Sequence, residues 1–92
     1  MRVISQDGAI DVPYENSVVF IDTRGVRDKA FVRMQPIGDN EASIMAQYSS
    51  EEKAKKAMEM LREAWINETV EFEDGICHRN IIFQFPKEEE LE

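Results

Sequence analysis

The sequence predicts an α+β fold: a mainly antiparallel sheet of five or six short strands, with one amphipathic helix packed on one face and a strand following the helix. Short runs of β-branched and aromatic residues alternate with turn residues along most of the chain. A single helical stripe of apolar residues spans about residues 50–66. Because 92 residues leave room for one modest core, we expect a single domain over residues 1–86.

A hairpin is predicted at the start of the chain. Val3-Ile4-Ser5 and Ala9-Ile10-Asp11-Val12 flank Gln6-Asp7-Gly8. Asp-Gly between largely apolar runs is a strong hairpin signal, because glycine supplies the positive φ of a tight turn. Pro13 lacks the N–H that a sheet ladder needs, so the second strand should lie at an edge or end there. Asp7 is therefore interpreted as a turn residue, with a carboxylate site as the alternative.

Four further strands are indicated by composition and period. Three precede the helix, at residues 17–22, 29–34 and 42–48, with a turn-rich loop at 37–40. The last, at residues 78–85, ends before Pro86. Residues 69–73 alternate apolar and polar, so Asp74-Gly75 could join them to 78–85 as a hairpin, or they could form an ordered loop.

The helix has the clearest local signals. Ser49 and Glu52 fit a capping box, in which Ser49 is the N-cap and Glu52 reaches back from the third helical position. Asn67 is a suitable residue for ending the helix. One stripe, which we expect to face the core, is formed by Ala54, Ala57, Met58, Leu61, Ala64 and Trp65.

Charge is distributed unevenly along the chain. The formal net charge is −8, and residues 67–92 hold eight acids against Arg79 and Lys87, so they carry six of the eight excess negative charges. Nucleic-acid backbones are bound by clustered Lys and Arg, which this chain does not have outside a charge-balanced helix, so direct nucleic-acid binding is not expected. Residues 87–92 should form an acidic, mobile C-terminal tail.

The sequence also bears on location. There is no apolar run of about 20 residues, so we expect no membrane span. The first residues lack the apolar segment and small-residue cleavage site of a secretory signal. Cys77 is the only cysteine, which excludes an internal disulfide and fits a reducing compartment. A cytoplasmic location is therefore predicted.

No motif with catalytic chemistry is present. Cys77-His78 holds the only thiol and the only imidazole, but adjacent residues of a strand point to opposite faces, which is unsuitable for a thiolate–imidazolium pair. A zinc set would need further cysteines or histidines. Aspartates such as Asp22 and Asp39 lie near turns, where they bond to backbone. We therefore expect no catalytic residue, no metal site, no cofactor and no enzymatic activity.

Two strands are apolar on both faces, which bears on assembly. Residues 18–21 and 81–83 are continuously apolar, whereas one helix can cover only one face of a sheet. A homodimer would cover the second face, and a self-association face including Val19, Ile21 and Ile82 is predicted. Curling of the sheet or coverage by a loop would also account for the pattern.

Three segments resemble a known group of proteins. They are VISQDG with IDVPYE at the start, YSSEEKAKKAMEMLREA at the helix, and FQFPKEEEL near the end. In this order they resemble small proteins encoded by phages, prophages and mobile elements of low-GC Gram-positive bacteria. The resemblance covers about half of the chain. It implies a cytoplasmic protein of mobile-element origin, and it brings no activity, cofactor or site residue with it.

The leading functional hypothesis is a non-enzymatic, self-associating protein-interaction module, whose further partner would be a host or phage protein. The first alternative is an acidic inhibitor that mimics nucleic acid and occupies a host DNA-binding enzyme, since the chain is small and acidic. The second is a small metal-dependent hydrolase built on the turn aspartates, which residue spacing does not favour.

Overall fold

The computed structural model describes residues 1–23, 29–67, 69–72, 75–78 and 82–91. These residues contain eight short strands, and one long helix separates the first five of them from the last three. In chain order the elements are β1 (Arg2–Ile4), β2 (Asp11–Pro13), β3 (Ser17–Asp22), β4 (Ala30–Pro36), β5 (Ser43–Tyr48), α1 (Glu51–Asn67), β6 (Thr69–Phe72), β7 (Gly75–His78), β8 (Ile82–Gln84) and a 3-10 helix (Glu88–Leu91). The predicted α+β class is confirmed.

The strands form two three-stranded sheets and a separate hairpin, whereas the sequence predicted one mainly antiparallel sheet. The sheet orders are β2-β1-β8 and β3-β4-β5, and β6 pairs with β7. All pairings are antiparallel except β1 with β8. Two parallel strands must be joined by a long crossover connection. Here that connection is the chain between β1 and β8, which includes α1.

The first hairpin forms as predicted, with Val3 opposite Val12. Gly8 has a φ of +79°, the left-handed conformation that a side chain disfavours. Asp7 serves the turn: its Oδ1 accepts hydrogen bonds from the Ser5 hydroxyl at 2.5 Å and the Ala9 N–H at 3.0 Å. These two hydrogen bonds lower the pKa of Asp7 because they stabilise its charged form, and the bond from Ser5 has the larger effect. β2, which ends at Pro13, is an edge strand as expected.

A single hydrophobic core joins the helix to both sheets. Strand residues Val3 and Val32 and the helix residue Ala57 are fully buried. α1 packs against β3, β4 and β5, as the apolar stripe predicts. The buried apolar residues are Val3, Val12, Ala30, Val32, Met34, Met45, Ala46, Tyr48, Ala54, Ala57, Leu61, Phe85 and Leu91.

The start of α1 differs from the predicted capping box by one residue. The helix begins at Glu51, so Ser50 is the N-cap and its hydroxyl accepts from the Lys53 N–H at 3.2 Å. Ser49 instead donates its backbone N–H to Glu88 at 2.5 Å. The Glu88 carboxylate therefore accepts the Ser49 N–H, a role that the predicted capping box gave to Glu52.

The chain after the helix also differs from expectation in two respects. Residues 69–72 pair with residues 75–78 rather than with 78–85, because the strand that precedes Pro86 is used beside β1. Residues 87–91, expected in a mobile tail, include a 3-10 helix whose Leu91 is buried in the core. Composition alone did not show that one leucine among four glutamates would anchor this segment.

Candidate functional site

The predicted self-association residues lie on different surfaces. Val19 and Ile21 are partly buried and pack against the core on the helix side of β3. Ile82 lies on β8, in the other sheet, and its side chain is 66 % exposed. The structure therefore brings Val19 and Ile21 together but does not join Ile82 to them on one sheet face.

The opposite face of the β3-β4-β5 sheet, which we call the outer face, carries apolar side chains. Val18 is 57 % exposed, and Ile44 on β5 is 44 % exposed. Phe20 and Phe31 are half-buried there. Strand alternation places these side chains on the face that α1 does not cover, because the neighbouring residues Val19 and Val32 pack inward.

An ion pair lies among these apolar residues. Arg33 Nε is 3.1 Å from Asp22 Oδ2, and the Asp22 side chain is 8 % exposed. The strand register places Arg33 opposite Phe20 and Asp22 opposite Phe31. The outer face thus combines exposed aliphatic groups with a pair of opposite charges at fixed positions.

A cleft opens between β3 and the second half of α1. Its volume is about 460 Å³, within the size range of clefts that hold ligands. Ser17 and Val19 line the strand side. The remaining lining comes from the turn before β3 and from the helix: Tyr14, Glu15, Met58, Leu61, Arg62 and Trp65.

An aromatic contact closes one end of the cleft. The rings of Tyr14 and Trp65 have centroids 5.0 Å apart and planes inclined at 41°, a geometry favourable for aromatic pairs. The carboxylate of Glu15, at the same end, binds the N-terminal ammonium of Met1. Arg62 contributes an exposed guanidinium to the helix side. The cleft lining therefore combines apolar groups with polar and charged ones.

The two edges of the β3-β4-β5 sheet differ in whether other residues hydrogen-bond to them. At the β5 edge, Gln6 donates its backbone N–H to the Met45 carbonyl at 2.6 Å, and its side-chain Oε1 accepts from the Gln47 N–H at 3.2 Å. β3 forms the other edge, directly beside the cleft. Within the described part of the chain, no strand pairs with that side of β3.

Residues 85–91, which we call the clasp, hold the start of α1. The Tyr48 hydroxyl donates to the Pro86 carbonyl at 2.7 Å, and Lys56 donates to the Leu91 carbonyl. Glu88 accepts the Ser49 N–H and lies 3.6 Å from the Lys53 ammonium. The clasp is therefore bound by both polar contacts and the burial of Leu91.

Contacts of the clasp shift the pKa values of two groups, Glu88 and Tyr48. Hydrogen bonds from Ser49, with a smaller contribution from Lys53, lower the pKa of Glu88 because they favour the charged carboxylate. Burial raises the pKa of Tyr48, and the negative charges of Glu90 and Glu88 raise it further. Both shifts favour the states seen in these contacts: a charged Glu88 carboxylate that accepts a hydrogen bond from Ser49, and a neutral Tyr48 hydroxyl that donates one to Pro86.

The groups considered for catalysis do not assemble into a site among the described residues. The side chains of Cys77 and His78, and residue Asp28, lie outside what the structure describes. Asp11 binds Arg2 at 2.9 Å. Among the side chains described, no three histidine, cysteine or carboxylate groups are placed to share a metal ion. None of the described helices has the length and apolar content needed to cross a bilayer.

Sequence reasoning located the helix stripe but missed the cleft and its cation. Arg62 lies at the border of that stripe, one turn after Met58 and three residues before Trp65, and such a border position is the available signal. The contribution of Tyr14 depends on how the first hairpin meets the helix, which local patterns do not encode. Comparison with known proteins found no matching family profile, curated sequence or solved structure.

Proposed function

We propose that this protein is a non-enzymatic interaction module of phage or mobile-element origin that works in the cytoplasm and self-associates through its outer face. The observation that carries the proposal is the exposure of Val18 and Ile44 beside half-buried Phe20 and Phe31. Contiguous apolar surface on a small domain commonly marks an interaction site. A second copy would remove this surface from water.

Symmetry makes the outer face suitable for a homodimer. In a two-fold dimer the same patch contacts itself, so each exposed aliphatic group meets an apolar surface on the other copy. The Asp22–Arg33 ion pair would be buried further at the contact, and two opposite charges at fixed positions favour the alignments of the two copies that keep them paired. The sheet is small, so we expect a weak dimer with an interface at the low end of the size range for specific contacts.

Sedimentation velocity over micromolar to submillimolar concentrations tests this proposal. The wild-type protein should show a concentration-dependent dimer, and Val18→Lys should shift it to monomer because a lysine at the contact must be desolvated. Ile37→Lys is the matched control, since Ile37 is 76 % exposed on a turn outside the outer face. A wild-type protein that stays monomeric at the highest concentration would contradict self-association.

The structure gives less support to mimicry of nucleic acid. Such a mimic needs acids free to imitate phosphates, whereas Glu88 is engaged by Ser49 and Lys53. On α1, Glu51 lies 4.0 Å from Lys55, so acids and bases are interspersed along the helix. A direct check is inhibition of host nucleases by the intact protein, which the interaction-module proposal does not predict.

A further inference from the structure

We infer that the cleft and the adjoining edge of β3 bind an extended peptide segment of a partner protein, which adds as a strand beside β3. The peptide would insert an apolar side chain between β3 and α1 and place an acidic group at Arg62. This site goes beyond the proposed self-association, because it uses the edge and the helix side of β3 rather than the outer face.

β3 is an outer strand of its sheet and offers an unprotected edge. β3 has six residues and presents no proline, glycine or charge between Ser17 and Ile21, so it lacks the usual protection of an edge strand. The other edges differ: β2 and β8 have three residues each, β2 contains Pro13, and Gln6 covers part of β5. Of the edges of the two three-stranded sheets, β3 is thus the one best suited to receive another strand.

The cleft lies beside this edge, on the side of β3 that carries Val19. A strand added to β3 runs about 4.8 Å from it, and every second side chain points to the same side as Val19. That side opens onto the apolar groups of Met58, Leu61 and Trp65. Hydrogen bonds to a strand edge together with pockets for alternate side chains constitute a known mode of peptide recognition.

Two charged side chains, Glu15 and Arg62, line the cleft. Glu15 already binds the N-terminal ammonium, whereas Arg62 has no ion pair among the described residues. A guanidinium at the cleft selects a carboxylate, either an acidic side chain or a chain terminus. A second copy of β3 is a poor source of this group, since its only acid is Asp22, which already pairs with Arg33. An extended, apolar and acidic segment of another protein fits better.

Selection from a random decapeptide library displayed on phage, with the intact protein as bait, tests the inference. Enriched peptides should alternate apolar and other residues and carry an acid. Arg62→Glu should weaken their binding about tenfold or more, the effect of losing one charge-assisted hydrogen bond. Lys55→Glu is the control, because it also reverses a basic charge on an exposed part of the same helix, at the cost of only the exposed, 4.0 Å pair with Glu51.

Amide hydrogen exchange with an enriched peptide shows whether a strand is added. Every second amide of β3 should exchange about tenfold more slowly, while amides of β5 should not change. No enrichment, equal binding by Arg62→Glu and Lys55→Glu, or protection confined to another strand would overturn the inference. Enriched peptides that reproduce residues 17–22 would show that the occupant is a second copy and would also overturn it.

The Ile44→Lys variant, which changes the outer face on β5 and leaves β3 unaltered, separates this inference from the proposed function. If it is monomeric but keeps peptide binding, the two surfaces are independent, as we expect. If the wild-type protein is monomeric and binds peptides through Arg62, self-association fails and the peptide site stands. If it dimerises but no peptide is enriched, the peptide site fails and self-association stands.

Discussion

The two ends of α1 are supported in different ways. At the first end, Ser50 caps the helix, and the clasp binds Ser49, Lys53 and Lys56 through side-chain and backbone contacts. At the second end, Trp65 is partly buried against Tyr14, and the cleft lies alongside.

This difference predicts that one end of the helix matters mainly for stability and the other end mainly for the inferred peptide binding. Polar contacts and buried groups concentrate where the clasp meets the helix, so changes there should lower the free energy of unfolding. The last turns of the helix have half-buried and exposed side chains beside an open cleft, so changes there should affect binding more than folding. Variants at the two ends of α1 should therefore differ in how much they lower the free energy of unfolding.

The largest effect is expected at Leu91. Leu91→Ala removes a buried side chain that anchors the clasp, and the lost burial and remaining cavity should lower the free energy of unfolding by about 2 kcal/mol. Urea denaturation measures the change. Ile37→Ala is the control, since it shortens a side chain that is mostly exposed. Equal stability of the two variants would show that the clasp does not support the fold.

A smaller loss is expected at Tyr48. Tyr48→Phe keeps the buried ring but removes the hydrogen bond to the Pro86 carbonyl, so stability should fall by about 1 kcal/mol. The side chain of Gln6 also donates to that carbonyl, at 3.0 Å, which limits the loss. In a Gln6→Ala background, Tyr48→Phe leaves the carbonyl with neither of these donors and should therefore cost more than it does in the wild-type protein. Equal costs in the two backgrounds would argue against a shared acceptor.

The clasp should also respond to acid. The pKa of Glu88 is lower in the folded protein than its ordinary value, so its contribution to stability is present above the ordinary value of about 4.3 and is lost as the pH falls through the folded pKa. Glu88→Gln should therefore be less stable than wild type at pH 7, and the difference should shrink in acid. Asp7 has a pKa shifted in the same direction and remains in both proteins.

Thermal unfolding of both proteins between pH 7 and pH 3 measures this response. Glu89→Gln, which makes the same substitution in an exposed neighbour, is the control. A difference between wild type and Glu88→Gln that stays constant across this range would show that the Glu88 carboxylate does not support the clasp.

The smallest effect on stability is expected at the far end of the helix. Ile66 is 60 % exposed in the last turn, so Ile66→Ser should change the free energy of unfolding by less than about 0.5 kcal/mol. Urea denaturation beside Leu91→Ala gives the comparison directly. A loss at Ile66 as large as that at Leu91 would mean that the two ends of the helix support the fold equally.

Local patterns predicted most of the elements. The Asp7-Gly8 turn, the edge position of Pro13 and the apolar stripe of α1 depend on neighbouring residues, and the structure confirms them. Long-range contacts were missed for the same reason. Neither the pairing of β8 with β1 nor the bond from Ser49 to Glu88 has a signal at either partner alone.

The candidate site was harder to predict than the fold. A continuously apolar strand shows that both faces need cover, but the choice between Val18 and Val19 as the exposed side depends on where the helix packs. The structure places Val19 inward and Val18 outward. The cleft required knowledge of how Tyr14 meets Trp65, residues 51 positions apart in the sequence.

The parallel pairing of β1 with β8 has a consequence for how the chain acquires its structure. Val3 pairs with Phe83, so this sheet closes only after residues near position 83 have left the ribosome. Contacts of such high sequence separation slow folding, because a long loop must close before they form. Until β8 is available, β1 can therefore pair only with β2. The other edge of β1 stays open during that time and would be accessible to chaperones.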